Sequence, residues 1–281
     1  MLISSGGKSD VGQQRENNED SFRIVEALEL FVISDGMGGE AHGEVASALA
    51  VETVVKYCMD AQQDPDAAAA SATENPGWSP DTKRLFHAAH LANKKVFESA
   101  EAHPEQQGMG ATLTAAWINE QKLSIAHVGD SRAYLLRTGA FQQLTNDHSL
   151  VAEQVRRGMM TASQAEHSEM QSVLLRALGT QPEVEVDAEE HTLFPRDILL
   201  MCSDGLTRMV TEPEIAGTLQ AEPDPGKAAE KLVALANENG GADNVTVIVI
   251  RMEAEEKGWF SWLRRGAQKN ASGGNGSAGG L

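Results

Sequence analysis

The sequence predicts an α+β fold built on antiparallel sheets, and three observations predict it. After Gly108 apolar residues recur with period two through ATLTAAWI, KLSIAHV, RAYLLRT and FQQLT, with breaks at Asn119-Glu120, Gly129-Asp130 and Thr138-Gly139. That is the pattern of consecutive antiparallel hairpins. Helical spacing is confined to blocks between such runs, whereas a doubly wound parallel sheet alternates single strands with single helices. Finally, two apolar runs, LELFVISDG at 28–36 and DILLMCSDG at 197–205, each read as a buried strand that breaks at Ser-Asp-Gly.

In chain order, SFRIVEALELFVIS reads as two short strands around a tight turn, rich in β-branched and aromatic residues. GEVASALAVETVVKYCMD has helical spacing and no breaker, so a helix is expected over 43–60. A loop follows, punctuated by AAAA and Asn75-Pro76-Gly77. Ser79 before Pro80 is a helix start, and the second helix should run to about 101. After the hairpins, residues 148–180 are polar, partly helical and poorly patterned, and are expected to form a mobile insertion. Strands return at 183–192 and 197–203, helices at 212–221 and 226–239, and VTVIVIRM closes the sheet. The folded domain is expected over 1–254. Residues 255–281, dominated by Gly, Ser, Asn and Ala, read as a disordered tail.

A chain of 281 residues suffices for one large domain or two small ones, with ample core. Its 23 Lys and Arg against 41 Asp and Glu give a net charge of −18, which repels nucleic acid and anionic membrane. No apolar stretch approaches the ~20 residues of a membrane span, and the N-terminus MLISSGGKSD lacks a secretory apolar region. A cytoplasmic location is expected. Cys58 and Cys202 lie in apolar surroundings, as buried reduced thiols do. The sequons at Asn244, Asn270 and Asn275 mean nothing without a secretion signal.

The chemistry lies in the acids. Asp35 and Asp204 stand at strand exits, Asp130 ends LSIAHVGD in the same way, and Asp243 in GADNVTVIVI just precedes a strand. In RENNED (15–20), Glu19 and Asp20 precede the strand that leads by a hairpin to Asp35. Any single Asp-Gly is an ordinary turn, and the acidic segment alone is an ordinary solvated charge run. Together they point to one shared acidic site. Two carboxylates about 5 Å apart repel by roughly 3 kcal/mol at an effective dielectric near 20. Four or five acids therefore need cations or must keep protons. All-oxygen ligation selects hard ions, Mg²⁺ or Mn²⁺. Two such ions ~3.5–4 Å apart can activate a water and clamp a phosphoryl group. Gly36 lets a backbone carbonyl approach an ion. Arg15 is the conspicuous cation beside this set, its fork suited to phosphate oxygens; the alternative is a salt bridge to Glu16 or Glu19.

RENNED, FVISDGMGGEAHGEVAS, GMGAT, AHVGDSRAYLLR, LTNDHSL, ILLMCSDGL and GADNVTVIVI stand in an order and spacing that resembles the metal-dependent protein serine/threonine phosphatases of type 2C, the bacterial branch above all. The resemblance covers about residues 5 to 252. It implies a four-layer α-β-β-α sandwich, two packed mainly antiparallel sheets flanked by helices, with the metal site at one end. By motif, Asp35 matches the ligand bridging two core ions, with the Gly36 carbonyl on one of them. Glu19 matches a ligand reached directly or through water, and Asp204 and Asp243 match ligands of the other ion. Asp130 matches a position that, with Asp204, holds a third, weaker ion. Arg15 matches the phosphate-binding arginine, and 148–180 the flap that influences substrate choice.

Two departures stand out. Met37 occupies a position where animal relatives often carry His as general acid, and Met donates no proton. His42 is a candidate acid, with a surface histidine at a helix start as the alternative and metal-bound water as the other proton source for the leaving alkoxide. Ala111 stands where relatives often have Thr or Ser, a difference of packing. Gly7-Lys8-Ser9 echoes the end of a phosphate-binding loop, but Leu2 stands where its first glycine must be. No strand ends in the D-x-D-x-T of phosphatases that form an aspartyl phosphate. GWFSWLRRG, with Trp259, Phe260, Trp262 and Leu263 before Arg264 and Arg265, is either a last apolar turn folded on the core or a docking site.

The reading is a monomeric phosphoprotein phosphatase that hydrolyses phosphoserine and phosphothreonine by in-line attack of a metal-bridging hydroxide. The resemblance implies a serine/threonine kinase or its substrates as partners. The alternative is a non-catalytic phosphoprotein-binding module on the same fold, whose mark would be loss of the metal carboxylates. A two-metal nuclease is disfavoured by the lack of a basic groove.

Overall fold

In the computed structural model, which describes residues 1–38, 42–63, 75–165 and 167–253, the chain opens with β1 (Leu2–Asp10), β2 (Asp20–Val25) and β3 (Leu30–Met37). Two long helices follow, α1 (Gly43–Gln63) and α2 (Pro80–Ala102). Next come β4 (Gly110–Ala111), β5 (Leu113–Asn119), β6 (Lys122–Val128), β7 (Arg132–Arg137) and β8 (Ala140–Gln143). Short helices α3 (Leu150–Arg156) and α4 (Ala162–Ala165) precede β9 (Asp187–Thr192) and β10 (Ile198–Cys202). Helices α5 (Asp204–Thr207), α6 (Glu212–Ala221) and α7 (Pro225–Glu238) lead to β11 (Val245–Glu253).

The strands form two antiparallel sheets. One runs β1-β11-β10-β7-β8; the other runs β2-β3-β5-β6-β9, with β4 added beside β3. Side-chain alternation explains why they stack. On β3, Leu30 and Val32 pack under α1 and α2, whereas Phe31 and Ile33 face the other sheet. On β11, Val245, Val247 and Val249 face α6 and α7, while Ile248, Ile250 and Met252 meet Phe31 and Ile33 between the sheets. The result is four layers, α-β-β-α, with three apolar cores, as expected. Each fully buried Leu, Ile, Val or Phe contributes about 1.5–3 kcal/mol. Helix starts are capped as their residues allow: the Ser79 hydroxyl accepts from the Thr82 N–H, Pro80 follows it, and Thr211 with Glu214 forms a capping box. Cys58 and Cys202 are free and buried.

The structure adds to these expectations and corrects that of a hairpin at Gly129-Asp130. The polar, glycine-containing N-terminal segment is a strand: β1 pairs with β11 over nine residues, from Leu2↔Glu253 to Asp10↔Val245. Its glycines serve packing, because a Cβ on Gly6 would lie 2.4 Å from the Gly226 Cα at the start of α7. VTVIVIRM is consequently an interior strand. Gly129-Asp130 is not a hairpin turn. β6 pairs with β5 and β9, β7 pairs with β10 and β8, and the chain crosses from one sheet to the other at residues 129–131. The segment 148–180 is anchored at both ends through the bridges Ser149↔Leu174 and Ala111↔Leu178, with His148 and Leu178 fully buried. The tail, including Trp259, Phe260, Trp262, Leu263, Arg264 and Arg265, lies outside the described residues.

Candidate metal centre

Antiparallel pairing brings the acids to one end of the sandwich. Asp35 and Gly36 are near the exit of β3, Glu19 and Asp20 stand at the start of β2, and Asp130 lies in the crossing after β6. In the second sheet Asp204 opens α5 directly after β10, and Asp243 precedes β11. Strand exits and the starts of their antiparallel neighbours share an end. Six acids separated by up to 224 positions in sequence, Glu19 to Asp243, are thus gathered.

Hydroxyls and amides fix this end. The Ser203 and Thr246 hydroxyls donate to Asp20 Oδ2 at 2.8 and 2.7 Å, tying the two sheets together. The Asp35 N–H donates to Thr112 Oγ1 at 2.9 Å, and the Thr112 hydroxyl lies 2.7 Å from that of Ser131, beside Asp130. Ser34 Oγ donates to the Thr112 carbonyl at 2.6 Å. Asn244, buried, accepts from the Glu19 N–H at 2.8 Å and donates to the carbonyls of Val11 and Asn17. The serines of the two Ser-Asp-Gly motifs therefore each hold a strand end to its surroundings.

The electrostatics report the convergence. Asp35 is pushed well above the usual carboxylate range, first by burial, then by the carboxylates of Asp20, Asp204, Asp130 and Asp243. Burial, followed by Asp204, drives Asp130 up to about 8. Burial also lifts Asp20 to about 7, against the pull of its Thr246 and Ser203 hydrogen bonds. Asp204 is raised by burial and Asp243, with Arg208 opposing. Glu19 is raised by burial, with Arg15 and, more weakly, His42 opposing.

Arg15 pairs with neither Glu16 nor Glu19. Its Nη2 donates to Asp243 Oδ2 at 2.8 Å. Arg208, which the motifs did not single out, pairs with Asp204 Oδ2 and lies 3.4 Å from the same Asp243 oxygen. With these acids held by arginines and hydroxyls, no three Asp, Glu, His or Cys side chains among the described residues close around one point as a ready ion cage. The donor set nevertheless suits a hard divalent ion. Oδ1 of Asp20 and Oδ1 of Asp204 are buried without a hydrogen-bond partner, the state a cation would satisfy. The site is also too tight for a side chain at position 36, where a Cβ would lie 2.0 Å from the Gly43 carbonyl oxygen and 2.7 Å from that of Glu19.

His42 sits at the start of α1, its carbonyl accepting from the Ala46 N–H at 3.2 Å, within electrostatic reach of Glu19. Ala111 is a packing position: buried, opposite Gly36 in the β3–β4 ladder, and bonded through its backbone to Leu178.

A sequence profile described as Protein phosphatase 2C matches residues 7–235. The chain belongs to the protein phosphatase 2C family. Serine/threonine phosphatase stp of Listeria monocytogenes serovar 1/2a is 37% identical over 254 residues, covering 89% of this chain and 96% of that protein. The crystal structure of the Mycobacterium tuberculosis serine/threonine phosphatase PstP/Ppp superposes with a TM-score of 0.79 at 34% identity, covering 90% of this chain and 100% of that one. The catalytic domain of PstP in complex with two manganese ions superposes with a TM-score of 0.76 at 34% identity, covering 90% and 99%. The two-sheet sandwich read from the sequence is that of these bacterial phosphatases.

In this protein phosphatase 2C, the motifs gave no ligand role to Asp20, which the sequence places beside Glu19 in RENNED and the structure buries among the acids. The polar supports Thr112, Ser131, Ser203, Asn244 and Thr246 were also missed. Only Ser203 carried a signal, as the repeated Ser of Ser-Asp-Gly. Arg208 follows Asp204 at the i,i+4 spacing of an ion pair on a helix, a signal that could have found it.

Proposed function

We propose that this protein is a divalent-metal-dependent phosphatase acting on phosphoserine and phosphothreonine in proteins. The observation that carries this reading is the convergence of Asp20, Asp35, Asp130, Asp204 and Asp243 at one end of the sandwich, in a chain of the phosphatase 2C family. On this reading Asp35 would be the ligand shared by two ions, with the Gly36 carbonyl and Glu19 on one and Asp204 and Asp243 on the other. Asp130 with Asp204 would hold a weaker third ion. Mn²⁺ or Mg²⁺ bound by these oxygens supplies a water made nucleophilic at neutral pH and neutralises phosphoryl charge.

The chain's own residues do the positioning. Arg15, about half exposed at the mouth of the site, turns its fork from Asp243 to the phosphate oxygens. His42, at the rim near Glu19, donates the proton to the departing serine or threonine oxygen. The segment 148–180 flanks the site and bears on substrate choice. Most of the rate comes from positioning and fixed charge.

The domain spans 1–254 and works as a monomer in the cytoplasm, opposing a serine/threonine kinase whose products are its substrates. No helix among the described residues is long and apolar enough to cross a membrane, and the net charge of −18 disfavours nucleic acid. Phosphate release from a phosphothreonine peptide tests the reading. Wild type should be active with Mn²⁺ and silent with chelator, and Asp204→Asn should be silent in both. Equal release in all four would exclude the metal reading; none in any would point to a phosphoprotein-binding module. An unchanged pH–rate profile in His42→Ala would exclude His42 as the acid.

A further inference from the structure

Arg208 is held over the acidic site by the backbone itself. It caps the four-residue helix α5, and its N–H donates to the Asp204 carbonyl at 2.9 Å, so its side chain rises one turn from Asp204. One guanidinium nitrogen engages Asp204 Oδ2, and the other lies 3.4 Å from Asp243 Oδ2. Arg15 meets Asp243 from the other flank and is 52% exposed, whereas Arg208 is 24% exposed. Arg15 is free to swing toward solvent and substrate; Arg208 is wedged among the acids.

We propose that Arg208 is a built-in counter-cation for Asp204 and Asp243 that sets how tightly the protein holds its divalent ions. The inference rests on reading those two aspartates as ion ligands. A carboxylate oxygen that accepts from a guanidinium has one lone-pair direction fewer for an ion, and the fixed positive charge repels a dication a few ångströms away. The short tether through α5 keeps that charge in place even when the contact breaks. Arg208 therefore weakens ion binding at Asp204 and Asp243 below what the carboxylates alone would give, and occupancy follows the free ion concentration.

Direct Mn²⁺ titration of the full chain, read from the spin-resonance signal of free Mn²⁺ without substrate, tests this. Arg208→Gln should bind Mn²⁺ tighter by roughly tenfold, the scale of one charge-assisted contact. Arg208→Lys, which keeps the charge but not the fork that reaches both carboxylates, should fall between wild type and Arg208→Gln. Unchanged or weaker Mn²⁺ binding in Arg208→Gln overturns the proposal. So does a raised KM for the phosphopeptide at unchanged Mn²⁺ affinity, which would make Arg208 a phosphate ligand. Asp204→Asn separates the two levels: if it binds Mn²⁺ like wild type, the ligand reading itself fails. Should Arg208→Gln not fold, Arg208→Met removes the same charge and carries the same expectations.

Discussion

Asp20 and Asp35 are register partners across the β2–β3 ladder, two carboxylates placed opposite each other on the side that meets the second sheet. Directly opposed like charges destabilise a ladder. Two hydroxyls from the other sheet offset part of this on Asp20 alone, and both acids are lifted above the ordinary range. The fold thus accepts repulsion at the end where the proposed ion ligands stand. In chelator, Asp35→Asn should be more stable than wild type by roughly 1–3 kcal/mol, the scale of one carboxylate repulsion. It should also lose the stabilisation by Mn²⁺, which for wild type is about 2.7 kcal/mol at a hundredfold excess over Kd. Thermal melts with and without Mn²⁺ measure both; a less stable metal-free variant would contradict the repulsion.

The same cluster sets a pH dependence. Asp130 titrates near 3.8 when unfolded and at about 8 when folded, so between these values the folded state keeps a proton the unfolded state has released. Stability from this group is full below the unfolded value and is lost as pH rises toward about 8. Metal-free protein should become easier to unfold in urea between about pH 6.5 and 8. On the proposed function, Mn²⁺ held by the deprotonated acids should flatten or reverse that slope.

His127 acts in the opposite sense. Burial, then the His148 ring 4.7 Å away, lowers it from 6.5 to about 4. Its contribution is full above the unfolded value and is lost as pH falls from about 6.5 to 4, where the unfolded chain takes the proton first; a shift of that size amounts to about 3 kcal/mol. Denaturation at several pH values should give a shallower loss in this window for His127→Gln than for wild type. Parallel curves would exclude His127 as the source.

Thr112 is the acceptor for the Asp35 N–H. Thr112→Val keeps the shape and removes that acceptor, which should cost about 1–3 kcal/mol and weaken Mn²⁺ binding. Thr112→Ser restores the hydroxyl and should recover both. Melting and Mn²⁺ titration of the pair separate this hydrogen bond from simple packing, which Ser would not rescue.

Gly6→Ala should destabilise by about 1–3 kcal/mol or more, because the added methyl meets the Gly226 backbone and must lift α7 off β1. Activity of the surviving folded fraction should be unchanged, since the contact is remote from the acids.

Local pattern made much of this molecule legible. Helices α1, α2, α6 and α7 were read to within three residues at each end, because amphipathic spacing, Ser79-Pro80 and the surrounding breakers are written in neighbouring positions. β1 was not, because LISSGGKSD carries no apolar alternation; its strand state comes from nine partners on β11. Period two in KLSIAHV and RAYLLRT revealed strands but not their sheets, so the crossing at Gly129-Asp130 was read as one more hairpin.

By itself the sequence determined which acids stand at strand ends, and hence that a shared acidic site was there to be found, since strand breaks and Asp-Gly exits are local events. Only the tertiary structure decided that Asp20 faces Asp35, that Ser203 and Thr246 hold it from 183 and 226 positions away, and that Arg208 and Arg15 meet on one oxygen of Asp243. Alternation states which face a side chain takes. What stands opposite that face depends on how two sheets pack, and that is set by cores assembled from the whole chain.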